Sequence, residues 1–85
     1  YKKGTKLYDL GKYDEAIKSF EAAFELKDEP VLLYNIAQAY RLANKYPEAL
    51  RFYRTYLRRS PKAPNKAEVE QKIADMERLI AEQIP

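Results

Sequence analysis

Cysteine is absent from this sequence, and so is histidine. Without cysteine there can be no disulfide framework and no thiolate zinc site. Without histidine the commonest general base and metal ligand are gone. Neither absence identifies a compartment. Glycine is nearly missing, with 2 in 85 residues, while Ala, Leu, Glu, Lys and Arg abound, a composition that favours helices over strands. No apolar run approaches the roughly 20 residues that cross a bilayer, and no secretory leader pattern is visible. A Gly-rich phosphate loop, a metal-ligand cluster and a nucleophile–base pair are equally lacking. The carboxylates Asp14, Glu15, Glu21 and Glu25 fall mostly on the polar side of an amphipathic pattern, so they read as a solvated face. Catalysis, a cofactor and a metal are therefore not expected. What remains is 46% hydrophobic and 34% charged, the balance of a globular chain of one small domain. A net charge of +3 is mild and by itself implies no nucleic acid.

Sliding the sequence by 33 residues exposes an internal repeat. Lys12-Tyr13-Asp14-Glu15-Ala16 falls on Lys45-Tyr46-Pro47-Glu48-Ala49. The same shift pairs Gly4 with Ala37, Leu7 with Tyr40, Ile17 with Leu50, Phe20 with Tyr53 and Phe24 with Leu57. Small residues meet small ones and large apolar residues meet large ones across a full period.

Within each unit the apolar positions have helical spacing. Leu33, Ile36, Ala37 and Tyr40 form one stripe, and Ala49, Leu50, Tyr53, Tyr56 and Leu57 form the next. Ala16, Ile17, Phe20, Ala23 and Phe24 do the same in the first unit. The stripes are separated by Gly11-Lys12 and Asn44-Lys45, residues that tolerate the left-handed backbone ending a helix. Helices joined so closely must fold back antiparallel. Pro30 and Pro47 fit helix starts, and Pro61 and Pro64 stop the fourth helix. Asn65 with Glu68 has the spacing of a capping box opening a fifth helix, whose stripe is Val69, Ile73, Met76, Ile80 and Ile84. The pattern predicts an all-α chain with helices near 1–10, 13–26, 30–43, 47–59 and 66–83.

These residues resemble the tetratricopeptide repeat family. The second unit matches its pattern through Leu33, Ile36, Ala37, Tyr40, Tyr46, Ala49, Tyr53, Leu57 and Pro61, the first through Gly4, Leu7, Gly11, Tyr13, Ala16, Phe20 and Ala23. Asn44, Tyr56 and Lys3 depart from it, standing where Gly, a small residue and Leu are usual. The resemblance implies antiparallel hairpins stacked as a short right-handed solenoid. It divides one domain, 1–85, into a first repeat at 1–29, truncated at its start, and a second at 30–63. Residues 64–85 then form a capping helix, because Glu70 stands where a third repeat needs a small residue. Tyr56 is bulky, so the fifth helix is expected to make room for it or pack on it. The chain opens at Tyr1 inside a helical pattern, so a piece of a longer protein is expected. The tail resembles segments that follow such repeats in some bacterial exported proteins, which implies a bacterial protein, cytoplasmic or periplasmic.

The resemblance also implies a function: binding a peptide or partner protein in a concave groove lined by the first helix of each hairpin. In the second unit that face presents Val31, Tyr34, Asn35, Gln38, Arg41 and Leu42. In the first it presents Tyr1, Lys2, Thr5, Tyr8 and Asp9, of which Thr5 and Tyr8 are the candidate contacts. Family members that clamp a C-terminal carboxylate use an Asn at the place of Asn35, but also a Lys and an Asn where this chain has Tyr1 and Thr5. That clamp is incomplete here. Two other classes remain open. Arg51, Arg54, Arg58 and Arg59 could serve nucleic acid or an anionic surface, although the first three fall opposite the apolar stripe and read as solubilising. An uncapped end could also make the chain a structural, self-assembling segment or a homo-oligomer.

Overall fold

A computed structural model describes residues 2–83. Within them the chain forms five helices: α1 (Lys2–Asp9), α2 (Tyr13–Leu26), α3 (Pro30–Leu42), α4 (Tyr46–Arg59) and α5 (Lys66–Gln83). The all-helical expectation holds, and three boundaries within the described residues differ from the sequence pattern by a single residue. The expected helical start at Tyr1 and the stripe residue Ile84 lie outside the described residues. α4 opens at Tyr46 rather than Pro47. Proline thus occupies the second position of the helix, where a missing N–H still costs no intrahelical bond. Glu29, held extended ahead of Pro30, leads into α3.

The 33-residue repeat reappears in the hydrogen bonds. After α1, Gly11 N–H donates to Tyr8 O and Lys12 N–H to Leu7 O, at 3.0 and 2.9 Å. After α3, Asn44 N–H donates to Arg41 O and Lys45 N–H to Tyr40 O, at the same two distances. Both are Schellman ends, and each needs one residue in the left-handed region. Gly11 takes φ +77° and Asn44 φ +63°. Asn tolerates that conformation better than most side chains. Its Oδ1 also accepts a 3.0 Å bond from the Tyr46 hydroxyl across the turn.

Each helix packs chiefly on its neighbours in sequence, and the body measures 37 × 29 × 18 Å. The short dimension is under two helix diameters, as a stack of hairpins two helices deep requires. α3 sits in the middle of the stack, and two apolar clusters meet on it. On one side Leu32, Ile36 and Ala39 pack with Ala16, Ile17 and Phe20 of α2. On the other Leu33 and Ala37 pack with Ala49, Tyr53 and Tyr56 of α4 and with Val69 and Met76 of α5. The predicted stripe of α3 took Leu33 and Ala37 from one face but only Ile36 from the other. Leu32 and Ala39 are buried as well, because a helix flanked on two sides must be apolar on two sides.

Two details set the spacing of the stack. At Gly4, a Cβ would stand 2.7 Å from the Phe20 ring, so glycine is what lets α1 lie down on α2. Tyr56 is buried, as the expected packing on α5 requires, and its hydroxyl donates to Asn65 Oδ1 at 2.8 Å. That bond corrects the capping-box expectation: the Asn65 side chain serves the buried Tyr56 phenol instead of the α5 N-terminus. A phenol removed from water makes a stronger claim on an acceptor than helix N–H groups that solvent can still reach.

Candidate functional site

α1 and α3 lie side by side with a cleft between them, about 240 Å³ in volume, lined by Thr5, Tyr8, Asp9, Phe20, Tyr34, Asn35 and Gln38. Of the eight candidate contacts, Thr5, Tyr8, Tyr34, Asn35 and Gln38 come together here. Their spacing explains it: Thr5 and Tyr8 are one turn apart on α1, and Tyr34, Asn35 and Gln38 span one turn on α3. Arg41 does not line the cleft, nor do Val31 and Leu42. The latter two lie 43% and 37% exposed at opposite ends of α3, as apolar shoulders of the same helix. Lys2 is exposed on α1, and Tyr1 lies outside the described residues.

The floor was not anticipated. Phe20, 2% exposed, belongs to α2 and had been read purely as core. The close approach at Gly4 brings its ring up between the two groove helices. The volume falls below the roughly 300 Å³ at which small-molecule pockets begin, so the cleft suits one side chain rather than a cofactor.

Aromatic rings build the walls. Tyr8 meets Tyr13 edge-on at 5.7 Å between centroids. Tyr34 lies 5.4 Å from Tyr56 and 6.1 Å from Tyr53. The two phenols that line the cleft titrate above their ordinary range. Tyr8 and Tyr34 are pushed up mainly by burial, helped by Asp9 and Glu68 respectively and opposed in both by Arg41. The tyrosine walls are therefore neutral, hydrogen-bonding and amphipathic at physiological pH, and Asp9 adds a carboxylate to the lining.

Behind the wall lies a polar relay that the sequence did not reveal. Tyr53 of α4 is fully buried, yet its hydroxyl reaches the groove side of α3. There it donates to Gln38 Oε1 and accepts from Arg41 Nε at 3.2 Å. Gln38 and Arg41 are thus held by the core and do not swing freely. Burial raises the Tyr53 pKa to about 12, against the lowering effect of Arg41.

The basic row of α4 is arranged differently. Arg51, Arg54 and Arg58 border a shallow depression with Pro47, Leu50 and Thr55. Arg54 bridges to Glu77 of α5 at 3.0 Å, and Arg59 to Asp28 at 2.7 Å. Arg51 lies 5.2 Å above the Phe52 ring. Asp14, Glu15, Glu21 and Glu25 are all exposed, as a solvated face requires. No helix of the described residues is long and apolar enough to cross a membrane.

Stacked helix hairpins with repeating Schellman turns and a cleft between their first helices define a helical-repeat interaction module. A family model for the tetratricopeptide repeat matches residues 1–64, and the chain belongs to that family. Tetratricopeptide repeats generally mediate protein–protein interaction and are typically not enzymes. No curated protein matches the chain.

Proposed function

We propose that this chain is a non-catalytic binding domain that holds an extended segment of a partner protein along the face of α1 and α3. The observation supporting this reading is the convergence of Tyr8, Tyr34, Asn35 and Gln38 on one side-chain-sized cleft. Tyrosines offer contact area at low entropy cost, and the two amides can pair with a peptide backbone. Val31 and Leu42 extend the apolar surface along α3 beyond the cleft.

The same reading divides the chain at 1–29, 30–63 and 64–85, with α5 as the cap. Shifted by 33 residues, Val69 corresponds to Ile36 and is buried as Ile36 is. Lys66 and Glu70, in contrast, correspond to the buried Leu33 and Ala37 and are exposed. α5 therefore has a face for α4 but none for a hairpin partner of its own, which suits a terminal element. The basic row of α4 favours nucleic acid less, since two of its four arginines already pair with carboxylates. Weak exposed arginine rows of this kind mostly add solubility.

Titrating peptides selected on the wild type into a Tyr34→Ala/Asn35→Ala variant tests the groove. Binding should fall sharply while the helical signal is retained. Unchanged affinity in a folded variant would sink the groove assignment.

A further inference from the structure

Arg41 is unlike every other arginine of the described residues. Arg51, Arg54, Arg58, Arg59 and Arg78 are exposed, whereas Arg41 is half-buried. One other described cation, Lys72, is as sheltered, and it has the Glu68 carboxylate 3.6 Å away. Arg41 has no carboxylate within ion-pair distance among the described residues; its bond is to the neutral Tyr53 hydroxyl. A sheltered, unpaired charge is unfavourable unless something completes it. Its geometry is also preset. Nε is fixed by a fully buried phenol, and that phenol is fixed in turn by Gln38, which lines the cleft. The guanidinium keeps its two terminal nitrogens for a further acceptor, in the planar fork that matches a carboxylate.

We propose that Arg41 is the anion anchor of the groove and takes a carboxylate of the bound segment beside the side chain held between Tyr8 and Tyr34. The proposal rests on the groove reading above and adds the chemistry of the partner: an apolar residue with an acidic group close by. The surrounding charges sharpen the register. Asp9 on α1 and Glu68 on α5 lie near enough to act on Tyr8 and Tyr34 respectively, so an incoming carboxylate meets repulsion from both when it strays from Arg41. Arg41 itself acts on Tyr8, Tyr34 and Tyr53, so its charge is felt at the cleft although it does not line it.

The test is peptide selection on the intact 85-residue chain, with one displayed library blocked at both ends and one with a free C-terminus. In the blocked library, Asp or Glu should be enriched at one position near an apolar one. In synthetic acetylated and amidated peptides, Glu→Gln should weaken binding about tenfold, as should Arg41→Gln in the protein. Combining the two should cost little more than either alone, the mark of a direct pair. Arg41→Lys, which keeps the charge but loses the fork and the Tyr53 bond, should fall between. Enrichment of acid only through a free C-terminus would support Arg41 with the chain terminus as the source of the carboxylate. An acid preference undiminished in folded Arg41→Gln would overturn the proposal and leave the groove intact. So would Tyr34-dependent peptides with no acid preference. If no selected peptide responds to Tyr34→Ala/Asn35→Ala, the groove reading falls and Arg41 falls with it.

Discussion

Replacing Tyr53 by Phe removes one oxygen from the centre of the molecule, and its effect should reverse sign with pH. At neutral pH the hydroxyl makes two hydrogen bonds, to Gln38 and Arg41. Both partners are half-buried and can recover some hydration when it is lost, so the substitution should cost about 0.5–1.5 kcal/mol. The ring itself stays, and with it the packing against Ala49, Leu33 and Val69 in the same cluster. The pKa of about 12, raised by burial from the ordinary 10.0, supplies the second effect. A raised phenol pKa means that the folded state holds the proton more tightly than the unfolded chain. Below about pH 10 both states are neutral, and this contribution is fully present. Between about pH 10 and about pH 12 the unfolded chain deprotonates first, and stability falls by about 1.4 kcal/mol per pH unit. The loss approaches 2–3 kcal/mol, roughly, by the top of that window.

Phenylalanine has no proton to lose, so the stability gap between wild type and variant isolates Tyr53. Lysines and the other tyrosines are present in both proteins and cancel, except where Tyr34 and Tyr8 act on Tyr53 itself. The wild type should be the more stable at about pH 8, the curves should cross near pH 11, and the variant should be the more stable by about pH 12. Urea unfolding followed by far-ultraviolet circular dichroism at several pH values measures the gap. Tyrosinate absorbance reports the titration directly. A gap of constant size from about pH 8 to about pH 12 would refute the coupling of burial to the Tyr53 proton.

Other substitutions separate the forces in the stack. Ala49→Leu should destabilise by about 1–3 kcal/mol, because Ala49 is fully buried where α3 and α4 meet. Arg54→Ala should cost no more than about 0.5 kcal/mol, since its pair with Glu77 is exposed on both sides; equal melting temperatures for the two would contradict the hairpin packing. Gly11→Ala should cost about 1–2 kcal/mol through backbone strain alone, as open space surrounds its Cβ position and φ is +77°. Gly4→Ala should cost a comparable amount for the opposite reason, a side-chain clash with Phe20 in an ordinary helical backbone. A second substitution, Phe20→Leu, should relieve part of the Gly4→Ala loss and none of the Gly11→Ala loss; equal rescue of both would refute this assignment. Guanidinium chloride melts of the single and double variants supply the comparison.

The helices and turns were readable because their signals are local. Gly11 and Asn44 mark left-handed ends by residue type, and the observed φ values follow. Pro30 marks a start, and apolar spacing marks the stripes of α2 and α4. Features that depend on two elements at once were not readable. Leu32 and Ala39 belong to a second apolar face of α3 that only α2 makes necessary. Asn65 has the spacing of a cap, yet the choice between a helix end and the Tyr56 phenol depends on how α5 lies on α4. Phe20 enters the cleft floor only because Gly4 admits its ring. Five of the six cleft residues from α1 and α3 could be named as contacts in advance because one helical turn places them on one face. Tyr53 could not, because a core position ordinarily ends in the core.

That last exception explains why the groove and the fold are difficult to change independently. α3 has 13 residues, and nearly all of its circumference is committed. Leu32, Ile36 and Ala39 face α2, Leu33 and Ala37 face α4, and Tyr34, Asn35 and Gln38 line the cleft, with Arg41 joined to Gln38 through the Tyr53 hydroxyl. A ligand can therefore change α3 only by acting on both clusters at once, and close-packed clusters resist displacement. Rigidity of this kind favours a site that is formed before its partner arrives and pays little ordering entropy on binding. The Tyr53 hydroxyl ties the core to Gln38 and Arg41, so Tyr53→Phe should loosen both side chains while α3 stays in place. Binding should weaken in that variant without any change in the backbone amide exchange of α3. If amide protection across α3 fell together with affinity, the groove would be ordered by the fold as a whole rather than by the relay.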